Sequence, residues 1–192
     1  MLHHSTSPPR FNYGDYCRWQ GDERWELIDG EAFDMSPAPS RRHQQVLLRL
    51  AQQIDSGLKG QACEVYVAPF DVRLPAADEA DEQIETVVQP DISVVCDPTK
   101  LDDAGCRGAP DWILEILSPR TAARDQLHKR DLYGLHGVRE YWIVDPEHNR
   151  VTIYRSAQPG SGFSAATEVE GQSRIRSQAL PEVEIDLAPV FR

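Results

Sequence analysis

The chain has 192 residues, 40% of them hydrophobic and 27% charged, and its 20 Lys and Arg against 31 Asp and Glu give a formal charge of −11. This is the composition of one folded domain and excludes disorder as the main state; so negative a charge argues against backbone-wide binding to nucleic acid, which takes many cationic contacts, but leaves room for a local site. No apolar run approaches the ~18–20 residues that span a bilayer, and the start MLHHSTSPPRFNYGD lacks the apolar core and cleavage site of a secretory signal, so the expected location is the cytoplasm.

Residues 1–10 read as a loose tail and 11–192 as a single domain. The run RWELIDGEAFDMSP predicts two short strands about the Asp29-Gly30 turn. Ser40 is placed to cap a helix in which Val46, Leu47, Leu50, Ala51 and Ile54 recur at helical spacing, and Gly57 and Gly60 end it. ACEVYVAPFDVRLP is rich in strand formers, with Pro69 marking a bend, and the acidic stretch 76–86 reads as a solvated loop. TVVQPDISVVCDP predicts a strand with Pro90 at or before its regular part, residues 97–109 a connection, and PDWILEILSP a strand buried on both faces. A helix is expected from Thr121 to about Leu135, stopped by Gly137, followed by paired strands in EYWIVDPEHNRVTIYR and two or three more strands to the end. The fold class is α/β or α+β: a mixed sheet flanked by helices.

Cys17, Cys63, Cys96 and Cys106 are irregularly spaced, with no CxxC pair. A cysteine zinc site or a disulfide framework is therefore not expected, and four buried or half-buried thiols are. GxGxxG, Walker, GxSxG and HExxH patterns are absent.

Two carboxylates stand where folding alone would not put them. Glu115 lies inside WILEIL, among apolar neighbours on both faces of its strand. An ionised carboxylate there is costly unless paired, hydrogen-bonded or bound to a metal. Asp91 opens the apolar run ISVV; alone, it also reads as a turn acid. Lys129 lies 14 positions after Glu115. About 10 Å of strand outward and about 12 Å of helix back bring it alongside Glu115; a solvated lysine paired with Asp125 is the alternative. Asp91, Glu115 and Lys129 together read as a site for Mg2+ or Mn2+ beside a lysine. His43, Arg41 and Arg42 begin the first long helix, where backbone N–H groups suit a phosphate, though they also suit a plain surface helix start.

Glu26-Leu-Ile-Asp-Gly-Glu31, Pro90-Asp91, Glu115-Ile-Leu-Ser118, Asp125 with Lys129 and Tyr133, and Gly137 to Pro146 resemble the Uma-two family of restriction-endonuclease-like proteins, over residues 11–190. The resemblance implies the PD-(D/E)XK nuclease superfamily, with its restriction-endonuclease-like core and a divalent-metal site that hydrolyses phosphodiester bonds in nucleic acid, DNA foremost. Asp91 then matches the motif aspartate and Glu115 its (D/E), while Leu117 stands where the motif lysine belongs and Lys129 is the substitute. Glu31, part of the family pattern, is a candidate third metal ligand or an exposed strand acid. A homodimer is the default assembly. The alternative function is a non-catalytic binding or assembly module that keeps the fold.

Overall fold

The computed structural model describes residues 9–21, 23–35, 38–118 and 128–192. The predicted hairpin forms from β1 (Trp25–Ile28) and β2 (Glu31–Asp34). Its turn puts Asp29 at φ 48° and Gly30 at φ 76°, the paired positive values that a two-residue hairpin needs. Helix α1 (Tyr13–Tyr16) precedes it, and α2 (Arg41–Gly57) follows, with Ser40 Oγ accepting from the His43 amide. His43, Val46, Leu47, Leu50 and Ile54 form the buried stripe of α2.

Ten further strands complete two mixed sheets. They are β3 (Glu64–Val67), β4 (Val72–Arg73), β5 (Val87–Val88), β6 (Ile92–Val95), β7 (Leu101–Asp102), β8 (Gly105–Arg107), β9 (Trp112–Ile116), β10 (Glu140–Asp145), β11 (Arg150–Arg155) and β12 (Thr167–Glu170). The first sheet runs β2-β1-β5-β4-β8-β7 and the second β12-β11-β10-β9-β6-β3. A small pair, β13 (Arg174–Arg176) and β14 (Glu184–Asp186), follows. Helix α3 (Arg130–His136) lies between β9 and β10 and ends at Gly137, φ 95°; the start of the predicted helix falls outside the described residues. Helix α4 (Leu187–Val190) closes the chain.

The structure divides what the sequence reading had joined. The regular part of the strand expected in TVVQPDISVVCDP does follow Pro90, as β6, but Val87–Val88 before it form a separate strand, and Gln89-Pro90 passes the chain from β5 in the first sheet to β6 in the second. Proline has no N–H to offer a ladder, so a strand break there is cheap. Residues 97–109 are not a bare connection but contain β7 and β8. The acidic stretch is not wholly solvated: Ile84 is fully buried, and Asp81 is clasped by Arg73 and Arg107. The thiol expectation is also corrected. The β3–β6 register, with Glu64 opposite Val95, sets Cys63 against Cys96, and the two form a disulfide. Spacing along the chain gave no sign of a pairing made by strand register. Cys17 and Cys106 are free, exposed and buried respectively.

Apolar residues fill three layers. Trp112, Leu114, Ile116, Ile92 and Val94 of the second sheet pack on the buried stripe of α2. The other face of that sheet packs Ile113, Tyr141 and Ile143 against α3 and against Val72, Val88 and Cys106 of the first sheet. The outer face of the first sheet, with Leu27 and Val87, is covered by Phe11, Tyr13, Tyr16 and Trp19. No described helix is long and apolar enough to cross a membrane.

Glu140 ties the second sheet to the C-terminal strands. Its fully buried carboxylate accepts from Trp142 Nε1, Ser177 Oγ and the amides of Gln178 and Ala179, at 2.7–2.9 Å, and has the Arg155 guanidinium 3.4 Å away. Glu140→Ala strands these donors in a dry interior. It is expected to destabilise the protein by about 3 kcal/mol or more in urea unfolding, the scale for breaking a buried charged network; a loss under about 1 kcal/mol would show that the carboxylate is dispensable.

Candidate active site

Asp91 and Glu115 face one another across two strands. In the β6–β9 ladder Ile92 pairs with Leu114 and Ser93 with Ile113, so the next position sets Asp91 opposite Glu115. Alternation turns Glu115 and Ile113 to the same side, toward α3 and the first sheet. Glu115 is 4% exposed. Its Oε1 accepts from Lys129 Nζ at 2.9 Å and from the Tyr133 hydroxyl at 2.8 Å. Its Oε2 lies 3.4 Å from the Asp91 amide nitrogen. Asp91 Oδ2 accepts from the Ile116 amide at 2.8 Å and lies 3.1 Å from His43 Nε2, so α2 reaches the site round the end of the second sheet.

The first sheet supplies a residue that sequence reasoning missed. Glu26, on β1 and 1% exposed, accepts from Lys129 Nζ at 2.8 Å through Oε1. The same oxygen accepts from the Gln89 amide at 2.9 Å. Lys129, itself 3% exposed, thus joins carboxylates of both sheets. Its position just before α3 brings it there, and Tyr133, one helical turn on, points to the same oxygen of Glu115. Burial and the negative charges of Glu115 and Glu26 hold the Tyr133 phenol well above its ordinary pKa, so it stays a donor. Glu26, named only as part of the family pattern, was given no site role because an acid between Trp25 and Leu27 has the alternation of a solvent-facing strand position.

The other named residues lie elsewhere. Glu31 pairs with Ile28 across the hairpin and shares the sheet face of Glu26, but it is exposed, at the turn end. Arg41 is exposed. Arg42 donates to the main-chain oxygens of Phe191 and Arg192 and to Asn149 Oδ1, which ties α2 to the C-terminal segment. Asp125 lies outside the described residues.

The site continues into a polar layer beneath the N-terminal aromatics. Gln89 Oε1 accepts from the Arg24 guanidinium at 2.7 and 2.9 Å, and its amide nitrogen donates to Tyr16 Oη at 2.9 Å and to Asp71 Oδ1 at 2.8 Å. Tyr16 donates to the same Asp71 oxygen at 3.1 Å. These bonds, and the positive charges of Arg73 and Arg24, favour the Asp71 carboxylate; desolvation by burial outweighs them and raises its pKa above the ordinary value.

A hard divalent cation suits the donor set. Asp91 and Glu115 offer carboxylate oxygens at facing register positions, and among the described residues no group of three or more His, Cys, Asp or Glu could hold a metal by itself. Mg2+ keeps several waters and takes one or two carboxylates plus substrate phosphate. Among the described residues, His43 Nδ1 is buried without a hydrogen-bond partner, a further polar atom beside Asp91.

The family model described as "Uma2: Putative restriction endonuclease" matches residues 13–188. An "Uncharacterized protein" of Synechocystis sp. is 26% identical over 185 residues, 94% of this chain and 93% of its own. A crystal structure from Anabaena variabilis, titled as "a putative nuclease belonging to DUF820", superposes with a TM-score of 0.72 at 19% identity, covering 92% of this chain and 94% of that one. At that identity the likeness shows the shared fold.

The raised Asp71 pKa has a signed consequence. Between the ordinary carboxylate pKa and the raised one, the folded state binds more protons than the unfolded state, so stability falls as pH rises through that window. Asp71→Asn, which keeps an acceptor oxygen, removes this penalty. The variant's stability relative to wild type, from urea unfolding, is expected to be greatest at pH 7.5 and to shrink as the pH falls through the carboxylate range. A difference independent of pH would show that Asp71 titrates alike in both states.

Proposed function

Since the chain belongs to the Uma2 family, we propose that it is a divalent-metal-dependent endonuclease, with DNA as the substrate and Asp91, Glu115 and Lys129 as the working residues. The observation that carries this reading is the convergence of Asp91, just before β6, Glu115 of β9 and Lys129, just before α3, in one cluster in which Glu115 and Lys129 are buried and Asp91 is half-buried. Asp91 and Glu115 would hold Mg2+ or Mn2+. When bound, such an ion polarises a phosphoryl oxygen and lowers the pKa of a water beside it.

The chain's own groups have separable tasks. The Ile116 amide and His43 fix the Asp91 carboxylate through Oδ2. Tyr133 fixes Glu115 through Oε1, whose partner oxygen lies toward Asp91. The Lys129 ammonium, already oriented by two carboxylates, supplies positive charge to offset that developing on a phosphate in the transition state. Leu117 at the motif position favours a second reading, a fold-retaining module without catalysis, because the lysine must then act from another element.

Purified protein is expected to nick plasmid DNA with Mg2+ or Mn2+ and to stop on addition of a chelator. Asp91→Asn and Glu115→Gln should each lower cutting by about a hundredfold or more, since each removes a charge the metal needs, with circular dichroism unchanged. A double variant that cuts as fast as wild type would refute the assignment. Absence of cutting in wild type under all these conditions would favour the module.

A further inference from the structure

Among the described residues, Lys129 has two carboxylate partners, Glu26 and Glu115. Nζ lies 2.8 Å from Glu26 and 2.9 Å from Glu115, so neither acid holds the ammonium alone. All three groups are at most 4% exposed, so water screens their charges little. Taking a second acid out of water is costly, and Glu115 is already in reach of the lysine. An exclusive Lys129–Glu115 pair would cancel the charge of one proposed ligand. Among these four groups, Glu26 offsets Lys129 and leaves the charges of Asp91 and Glu115 to a divalent cation.

We propose that Glu26 is a positioning residue: as the counter-ion of Lys129, it preserves the charge with which Asp91 and Glu115 hold the cation. The proposal rests on the reading of Asp91 and Glu115 as metal ligands. Glu26 comes from the first sheet and its proposed beneficiaries from the second, so the device works across the interface between the two.

The competing account is structural: Glu26 merely pins α3 and satisfies the Gln89 amide. Both of those bonds fall on Oε1, and a glutamine oxygen can accept both. Glu26→Gln therefore keeps the bonds and deletes the charge. The readout is Mn2+ binding to the full chain by isothermal titration calorimetry, without DNA. Glu26→Gln is expected to weaken binding by about tenfold or more, because an unscreened positive charge is left beside the ligands. Lys129→Gln is expected to tighten it by about tenfold or more, and the double variant to return to within about threefold of wild type.

Equal Mn2+ affinity in wild type and a folded Glu26→Gln would overturn the proposal and leave the metal reading intact. Should Glu26→Gln not fold, the other two variants decide: no tightening in Lys129→Gln, or no return in the double variant, overturns it. Wild-type protein with no Mn2+ uptake sensitive to Asp91→Asn and Glu115→Gln would sink the metal reading, and this proposal with it.

Discussion

A carboxylate inside a strand buried on both faces constrains everything near it. Glu115 sits in WILEI, where all five residues are buried. Its charge is tolerated because Lys129 and Tyr133 both donate to Oε1. Those donors oblige the chain after β9 to fold back over the second sheet. Tyr133 in turn packs edge-on against Tyr141 of β10, so the polar anchor and the apolar layer hold one helix in one place. The arrangement follows from the rule that a buried charge must be paired and hydrogen-bonded.

The site also depends on a break in the chain's path. Gln89 and Pro90 lie where the chain leaves one sheet and enters the other. Gln89 faces both ways: its amide donates to Glu26, and its side chain gathers Arg24, Tyr16 and Asp71. Two residues later Asp91 begins the second sheet's contribution. The acids of the two sheets are thus brought together by a short irregular segment, positioned by rigid strands on either side, which is where functional groups are commonly held.

The sequence revealed those parts of this arrangement that violate a local rule. Glu115 was legible because an acid in a continuous apolar run has no solvent-facing explanation. Lys129 was reachable by path length, since strand rise and helix rise fix how far the chain travels. The hairpin and the Ser40 cap were legible from turn and cap chemistry. Glu26 was not, because its neighbours alternate as they would on an exposed edge, and only the packing of a second sheet reverses that meaning. The division into two sheets was hidden for a related reason: β4, β5 and β7 are two-residue strands, too short to carry a period. The Cys63–Cys96 bond and the engagement of Arg42 with the C-terminal segment depend on register and tertiary contact, of which linear spacing holds no trace.

Stability alone does not account for the cluster. A buried ion pair contributes little net stability compared with apolar residues of the same shape, because desolvation consumes most of the attraction. The interior around it supplies such residues in quantity: Ile113, Val88 and Ile143 pack in the same layer. What Glu26, Asp91, Glu115 and Lys129 add to that layer is acidic and basic charge in fixed geometry, buried at Glu26, Glu115 and Lys129 and half-buried at Asp91. Fixed, poorly screened charge is of small use for folding and of large use for gripping a cation and stabilising a transition state, since no reorganisation is needed at the moment of reaction. The feature hardest to justify as architecture is thus the one the proposed chemistry requires.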